Sequence, residues 1–407
     1  MQSFQPTQVN GNPHLKNNPR PPWRIVLIAN LKDEFAPKFD DPPDAGAEFD
    51  RFETIEVITQ ALESEGHEVY FVRGDHTLPI SLMKYRPAIC FNIAEGLTGD
   101  GREAQVPALC ELLGIPYSAS GVVANAISLD KTQTKRIWQQ QGLPTAPYYE
   151  FSSLEQAAHT ELRFPLFVKP AREGTGMGID GKAIVNNHDE LMARVDWVLN
   201  TYRQPALVEE FLPGREFTVG FIGNPGNPSH RRKPELYDAD GYHWFPILEI
   251  DSLSSVTPTV YGYDAKGYDV GTNGAPGYLC PADISDSLQA RLIDITRRAA
   301  EALGVRDVSR VDFRLGADDE PYLMEINTLP GLNPSVSDLC IMAAAEGMAY
   351  NTLITEILYL AAGRFGMPFD SMESNWQISS PMQSIAVYPQ TALESATLDT
   401  DPGMING

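Results

Sequence analysis

The sequence predicts an α/β fold, and three observations carry that prediction. Apolar runs of strand type alternate with helical periodicities across residues 22–125, the pattern of a parallel sheet. A glycine-rich stretch, VKPAREGTGMGIDG at 168–181, sits between two further strand-type runs. Near the C-terminal end, two short apolar runs are joined by a turn-type linker and carry acidic and amide side chains at alternate positions.

In chain order, residues 1–22 are polar and rich in Pro and Asn, with no apolar stretch of signal-peptide type, and are expected to form a disordered leader. Residues 24–29 (RIVLIA) read as a buried strand, followed by a helix through Ile55, Val57, Ile58 and Leu62. Strands are expected at 67–72 and 87–92, and a helix over 104–113 that stops at Gly114. These elements define an N-terminal domain over 23–125. A helix over 131–141 ends at Gly142-Leu143-Pro144, a glycine-then-proline stop. The literal G-x-G-x-x-G at Gly176, Gly178 and Gly181 follows a strand at 164–168. It leads into Lys182-Ala183-Ile184-Val185, a second strand, whereas a dinucleotide fingerprint must open directly into a helix. The glycines therefore join two strands, as a flap. Asn187 and Glu190 have capping-box spacing ahead of Leu191, Val195, Val198 and Leu199.

A strand at 206–211 closes a central segment, 126–215. A C-terminal segment, 216–365, holds a Gly-, Tyr- and Asp-rich loop at 261–278, a helix over 289–303, strands at 308–315 and 322–327, and a helix over 338–360. From 366 to 407 there are acidic residues but no Lys or Arg, and a loose tail is expected.

The formal charge of −23 argues against nucleic acid or an anionic membrane as partner. No apolar run is long enough to span a bilayer. The four cysteines (Cys90, Cys110, Cys280, Cys340) are far apart and sit among apolar neighbours, which points to buried free thiols in a cytoplasmic protein.

Asp312, Glu325 and Asn327 fall on one face of the expected 308–327 hairpin, with Arg310 beside them. Two carboxylates and an amide oxygen suit Mg²⁺, whereas a plain solvated hairpin face is the alternative. Apolar residues surround each polar one, and carboxylates in such a strand are costly unless paired or metal-bound. Lys169 closes a buried-type strand, and Lys131 opens a helix where the dipole disfavours a cation. Each alone reads as a surface lysine; together with the glycine flap they make a polyphosphate site. Glu209 and Glu210, then Leu212 and Glu216, suit a nucleoside pocket.

Over residues 85–360 the chain resembles the ATP-grasp superfamily and, within it, the D-alanine–D-alanine ligase group. The resemblance rests on SLDKTQTKRIWQQQGLPTAP (128–147), FVKPAREGTGMGI (167–179), LVEEFLPGREFTV (207–219), SRVDF (309–313) and LMEINTLPGLNP (323–334), in this order. It implies three α/β domains, the first Rossmann-like, with ATP between the central and C-terminal α+β domains. It implies Lys131 and Lys169 on the phosphates, with Thr175 and Gly176 in the covering loop. Glu209, Glu210 and Leu212 would lie at the adenine and Glu216 on the ribose. Asp312, Glu325 and Asn327 would hold two Mg²⁺ ions, a role Mn²⁺ also suits. Arg310 and the Gly331 backbone N–H would stabilise a tetrahedral intermediate, and Lys266 would approach the γ-phosphate. The activity implied is amide formation between a small-molecule carboxylate and an amine through an acylphosphate, in a protein that leans towards a homodimer.

Departures fall on the substrate positions. The group's His-Gly and Gly-Glu-Asp-Gly give way to a longer stretch, 92–103, without the histidine, where Glu95 and Arg102 become the substrate candidates. Its paired flap serines are Thr175-Gly176 here, and its second-substrate serine is Val336, flanked by Ser335 and Ser337. Altered substrates are the leading expectation. A true D-alanine–D-alanine ligase and a non-catalytic ATP-binding regulator are the alternatives, while a nicotinamide oxidoreductase fails on the context of its glycines.

Overall fold

In the computed structural model, which describes residues 21–226, 231–251 and 277–368, strands β1 (Arg24–Ala29), β2 (Glu68–Arg73) and β3 (Ile89–Asn92) form a parallel sheet in the order β2-β1-β3. Its middle strand is buried from Ile25 to Ala29, as an unbroken apolar run requires when both faces are covered. Helix Phe52–Glu63 buries Ile55, Ile58 and Leu62 on one face. The core it enters also takes Leu353, Ile357 and Leu358 from helix Tyr350–Arg364, so the end of the described chain packs back on its beginning. The opposite face of the sheet packs on helices Leu78–Tyr85 and Gln105–Leu113 through Leu82, Val106 and Cys110.

A second sheet is antiparallel, in the order β4-β7-β5-β6, from β4 (Tyr148–Phe151), β5 (Leu166–Pro170), β6 (Ile184–Val185) and β7 (Ala206–Glu210). β5 and β6 pair as a hairpin, so the glycine stretch is a strand-to-strand loop, as expected. Helix His188–Thr201 begins at Asn187, whose side chain accepts from the Glu190 N–H at 3.0 Å while its amide donates to the Glu190 carboxylate at 2.7 Å. The third sheet runs β11-β10-β8-β12-β13, with β9 also on β8. Its strands are β8 (Glu216–Gly223), β9 (Tyr242–Trp244), β10 (Leu248–Asp251), β11 (Gly277–Leu279), β12 (Asp307–Leu315) and β13 (Pro321–Asn327). β8 is buried along its whole length.

Four expectations change. The 338–360 helix is two helices, Asp338–Ala345 and Tyr350–Arg364, broken at Gly347 with φ +85°, a conformation that ends helices at glycine. Tyr278 belongs to β11, not to the preceding loop. Met367, assigned to a loose tail, is buried in the first core because its N–H bonds back to the Ala362 carbonyl at 2.9 Å. Cys280 is only half-buried, whereas Cys90, Cys110 and Cys340 are buried free thiols.

Candidate functional site

β12 and β13 pair Arg310 with Asn327 and Asp312 with Glu325, which brings the four side chains to one region of the sheet. Asp312 accepts from the Thr218 hydroxyl at 2.9 Å, from Arg310 at 3.1 Å and from the Asn327 amide at 3.3 Å. Arg310 also pairs with Asp338 at 2.6 Å. Lys131 lies 3.3 Å from Glu325 and donates to the Glu173 carbonyl in the flap. Asp130 caps the same helix by accepting from the Gln133 N–H, which fixes Lys131 at its first turn.

Lys169, at the end of β5, is buried and pairs with Glu209 of β7 at 2.7 Å. The other Glu209 oxygen pairs at 2.6 Å with Lys135, a residue the sequence reading missed. Burial alone would raise the Glu209 carboxyl, but the two lysines outweigh it and hold the group down to about 2. Burial pushes Lys135 below its ordinary range. For Lys169 burial acts the same way, yet Glu209 and Glu325 reverse it, so this cation is held above its usual value. The signal for Lys135 was present: it lies four residues after Lys131, on the buried face of the same helix.

Two cavities adjoin. The smaller, about 60 Å³, is lined by Lys131, Lys169, Gly176, Glu209, Glu210, Leu212, Glu216, Asp312 and Glu325, together with Arg314, which the sequence reading also missed. The larger, about 360 Å³, is lined by Lys131, Glu325, Asn327, Arg310, Thr175, Gly331, Ser337, Val336 and Glu95. Lys131, Glu173 and Glu325 border both. Ser335 is exposed and does not line the larger cavity. Arg102 does not line it either. That residue is committed to Glu48 at 2.8 Å, to Glu173 at 3.2 Å and to the Arg172 carbonyl, because crowding by carboxylates makes it a structural counter-charge. Lys266 lies outside the described residues.

The flap is latched by the segment between β1 and helix Phe52–Glu63. Asp44 accepts from the Gly178 N–H at 2.7 Å and from the Tyr202 hydroxyl at 2.8 Å, and Glu48 accepts from the Gly174 N–H at 2.7 Å. Gly178 has φ +69°, and a Cβ there would meet the Pro170 ring at 2.5 Å, so glycine is required on both counts. Two backbone N–H groups of the flap, those of Gly174 and Gly178, are thus spent on Glu48 and Asp44; those of Thr175 and Gly176 have no acceptor among the described residues. Asp44 and Glu48 lie in a loop with no motif, and nothing local marked them.

Residues 137–359 match the family model described as the D-ala D-ala ligase C-terminus. A D-alanine–D-alanine ligase of Aquifex aeolicus is 32% identical over 307 residues, 75% of this chain and 93% of that protein. The chain belongs to the D-alanine–D-alanine ligase family. An uncharacterized protein of Sinorhizobium fredii is 29% identical over 357 residues, 84% of this chain and 98% of its own length. Among solved structures, the Bacillus anthracis D-alanine–D-alanine ligase complexed with ATP superposes with a TM-score of 0.61 at 20% identity, covering 84% of this chain and 99% of that one. That likeness shows the ATP-grasp fold, α/β with three sheets, which the sequence resemblance implied.

Proposed function

We propose that this protein joins a small-molecule carboxylate to an amine, at least one of them an amino acid, and that its substrates differ from the two D-alanines of the family name. The chain is an ATP-dependent, ADP-forming carbon–nitrogen ligase. The observation that carries the reading is the convergence of Lys131, Arg310, Glu325 and Asn327 on the larger cavity, with Asp312 hydrogen-bonded to two of them.

A substrate carboxylate oxygen takes the terminal phosphoryl group of ATP, giving an acylphosphate and ADP. The amine nitrogen then attacks the acyl carbon, phosphate leaves and the nitrogen gives up its proton. Such phosphoryl transfer asks the protein for alignment and for charge to offset the phosphates. Lys131 and Lys169 supply fixed cations. Arg310 and the Gly331 N–H offset the tetrahedral oxyanion. Glu210 and Leu212 remain for the adenine and Glu216 for the ribose, while Glu209 acts through the lysines it holds.

Asp312, Glu325 and Asn327 fit a site for Mg²⁺. The two carboxylates are hard oxygen donors, and the arginine and lysine paired with them support a spot that takes positive charge. No group of three or more His, Cys, Asp or Glu is placed to hold a metal among the described residues, so the amide oxygen of Asn327 completes the set. Two ions, or Mn²⁺ in their place, would neutralise charge on the transferred phosphoryl group when bound.

The smaller cavity is far below the ~300 Å³ of ordinary small-molecule sites. Nucleotide entry therefore requires the flap to lift, and its closure excludes water from a hydrolysis-prone acylphosphate. We further place the protein in the cytoplasm, as its buried free thiols suggest, and as a homodimer. Exposed Ile80, Met83 and Leu112, on helices that share one face of the first sheet, support the dimer. No helix among the described residues is long and apolar enough to cross a membrane.

Phosphate release from Mg·ATP with D- and L-amino acids, singly and in pairs, with mass spectrometry of the products, tests the reading. Turnover with D-alanine alone would restore the family's named activity. ATP binding with no amide from any pair would favour a non-catalytic regulator.

A further inference from the structure

The larger cavity holds more carboxylates than the ligase reaction uses. Glu325 belongs to the proposed cation site, and Asp338 is paired with Arg310. Glu48 and Glu173 share Arg102. Three others remain on the wall formed by the N-terminal segments: Asp50, Glu95 and Glu103. None of their side chains makes a hydrogen bond or ion pair with another described residue. Glu103 is only 9% exposed, and Asp50 and Glu95 are half-buried.

Buried acids that serve a fold are paired or hydrogen-bonded, because an unsatisfied carboxylate loses its hydration without return. These three side chains have no partner among the described residues, and their oxygens open into the cavity, where a ligand can reach them. Burial pushes Asp50 up to about 7. Burial and then the neighbouring Glu48 push Glu103 up to about 8, and burial with Glu103 and Glu48 raises Glu95 well above the carboxylate range. Arg102 pulls the last two the other way without cancelling the effect. This is the behaviour of a wall built against positive charge that the described residues do not supply. Of the described cations at this cavity, Lys131 is paired with Glu325, Arg310 with Asp312 and Asp338, and Lys32 and Arg51 are exposed. One ammonium would offset one carboxylate and leave the other two holding protons, their hydrogen-bonding capacity for a cation unused.

Resting on the ligase reading, we propose that the substrate carries two cationic groups, as a diamino or other basic amino acid does, and that Asp50, Glu95 and Glu103 receive them. The ammonium groups donate up to three hydrogen bonds each, enough to satisfy the wall. Catalysis is left to Arg310, Glu325 and their neighbours.

The test is calorimetric binding to the whole protein with Mg²⁺ and AMP-PNP, so that no turnover is needed. Lysine, ornithine and 2,4-diaminobutyrate, in both hands, are compared with norleucine, norvaline and 2-aminobutyrate of matched chain length. The expected result is that one diamino acid binds at least ~30-fold tighter than its neutral match, a size of effect in keeping with hydrogen bonds to charged groups. Glu103→Gln should cut that preference at least ~10-fold with AMP-PNP affinity unchanged within about threefold, and Glu95→Gln should do the same. Each change is isosteric and keeps the site close to its protonated, ligand-free form, so folding should not suffer. Equal or tighter binding of the neutral member in every pair, or a preference that survives both substitutions, overturns the proposal. So does Mg²⁺ binding without nucleotide that either substitution abolishes, which would assign the wall to a metal. Failure of AMP-PNP itself to bind would instead bring down the ligase reading on which the proposal stands.

Discussion

Replacing Glu209 by glutamine should strand two buried lysines. Lys135 and Lys169 have side chains 0% and 3% exposed, and Glu209 is their shared counter-charge at 2.6 and 2.7 Å. At an effective dielectric constant of ~20, each contact is worth about 6 kcal/mol of gross attraction. Desolvation of three charges and the repulsion between the lysines consume much of that. The pKa gives an independent figure: a carboxyl lowered from 4.5 to about 2 corresponds to about 3 kcal/mol. Both agree with the ~3–5 kcal/mol lost when one partner of a buried pair is removed. Urea unfolding followed by fluorescence of Trp138, buried one turn from Lys135, should therefore report a loss of about 3–5 kcal/mol in Glu209→Gln. Adding Lys135→Met should recover about half or more, since one stranded charge is removed. In the wild type this contribution is complete above pH ~4.5 and fades as pH falls towards 2, because the folded state binds the proton less readily than the unfolded one. A loss below about 1 kcal/mol, or no recovery in the double variant, would refute the account of the triad.

Glu325→Gln should lower kcat more than ~100-fold while circular dichroism stays unchanged, since even outer partners of metal ligands are worth 10–100-fold; undiminished turnover would remove Glu325 from the cation site. Asp44→Ala deletes the acceptor of the Gly178 N–H and the Tyr202 hydroxyl. Hydrogen bonds to a charged group are worth ~1.5–3 kcal/mol, so ADP released per amide formed should rise about tenfold or more as the flap admits water. An unchanged ratio would show that the latch plays no part in closure. His67 is buried against Trp23, whose backbone N–H it accepts at 3.0 Å, and burial lowers its imidazole to about 4. Its folded form resists protonation, so stability should be complete above pH ~6.5 and decline by up to about 3 kcal/mol as pH falls to 4. His67→Gln should lack that one-proton contribution to the slope, whereas the slope from the raised carboxyls Asp50, Glu95 and Glu103 persists in both proteins; identical slopes in the two proteins would assign the effect to another group.

Much of the site was legible because its parts are local in sequence. Strand alternation alone puts Asp312, Glu325 and Asn327 on one face, and the pairing of Arg310 with Asn327 and of Asp312 with Glu325 has that geometry. The flap was legible from Lys182-Ala183-Ile184-Val185 following the glycines, since a strand there excludes the helix of a dinucleotide site. Ser337 was bracketed to within two residues, but whether Ser335 or Ser337 meets the cavity depends on how Pro334 to Asp338 turns into the following helix. Lys135 was open to the same i, i+4 reasoning that governs any helix face, and was missed because its glutamate lies 74 residues away.

The sequence by itself placed most of the strands and helices, though not the break at Gly347 or helix Leu78–Tyr85, and it carried the family through motifs whose chemistry is local: a lysine at a strand end, glycines at a turn, acids two apart on a strand. Only the tertiary structure decided the electrostatics. Arg102 was a substrate candidate until it met Glu48, and Glu209 belonged to an adenine pocket until two lysines enclosed it. Asp44 and Glu48 had no reading at all until the loop that carries them met the flap. A charge takes its meaning from every other charge and from the water it has lost, and both are set by residues far apart along the chain.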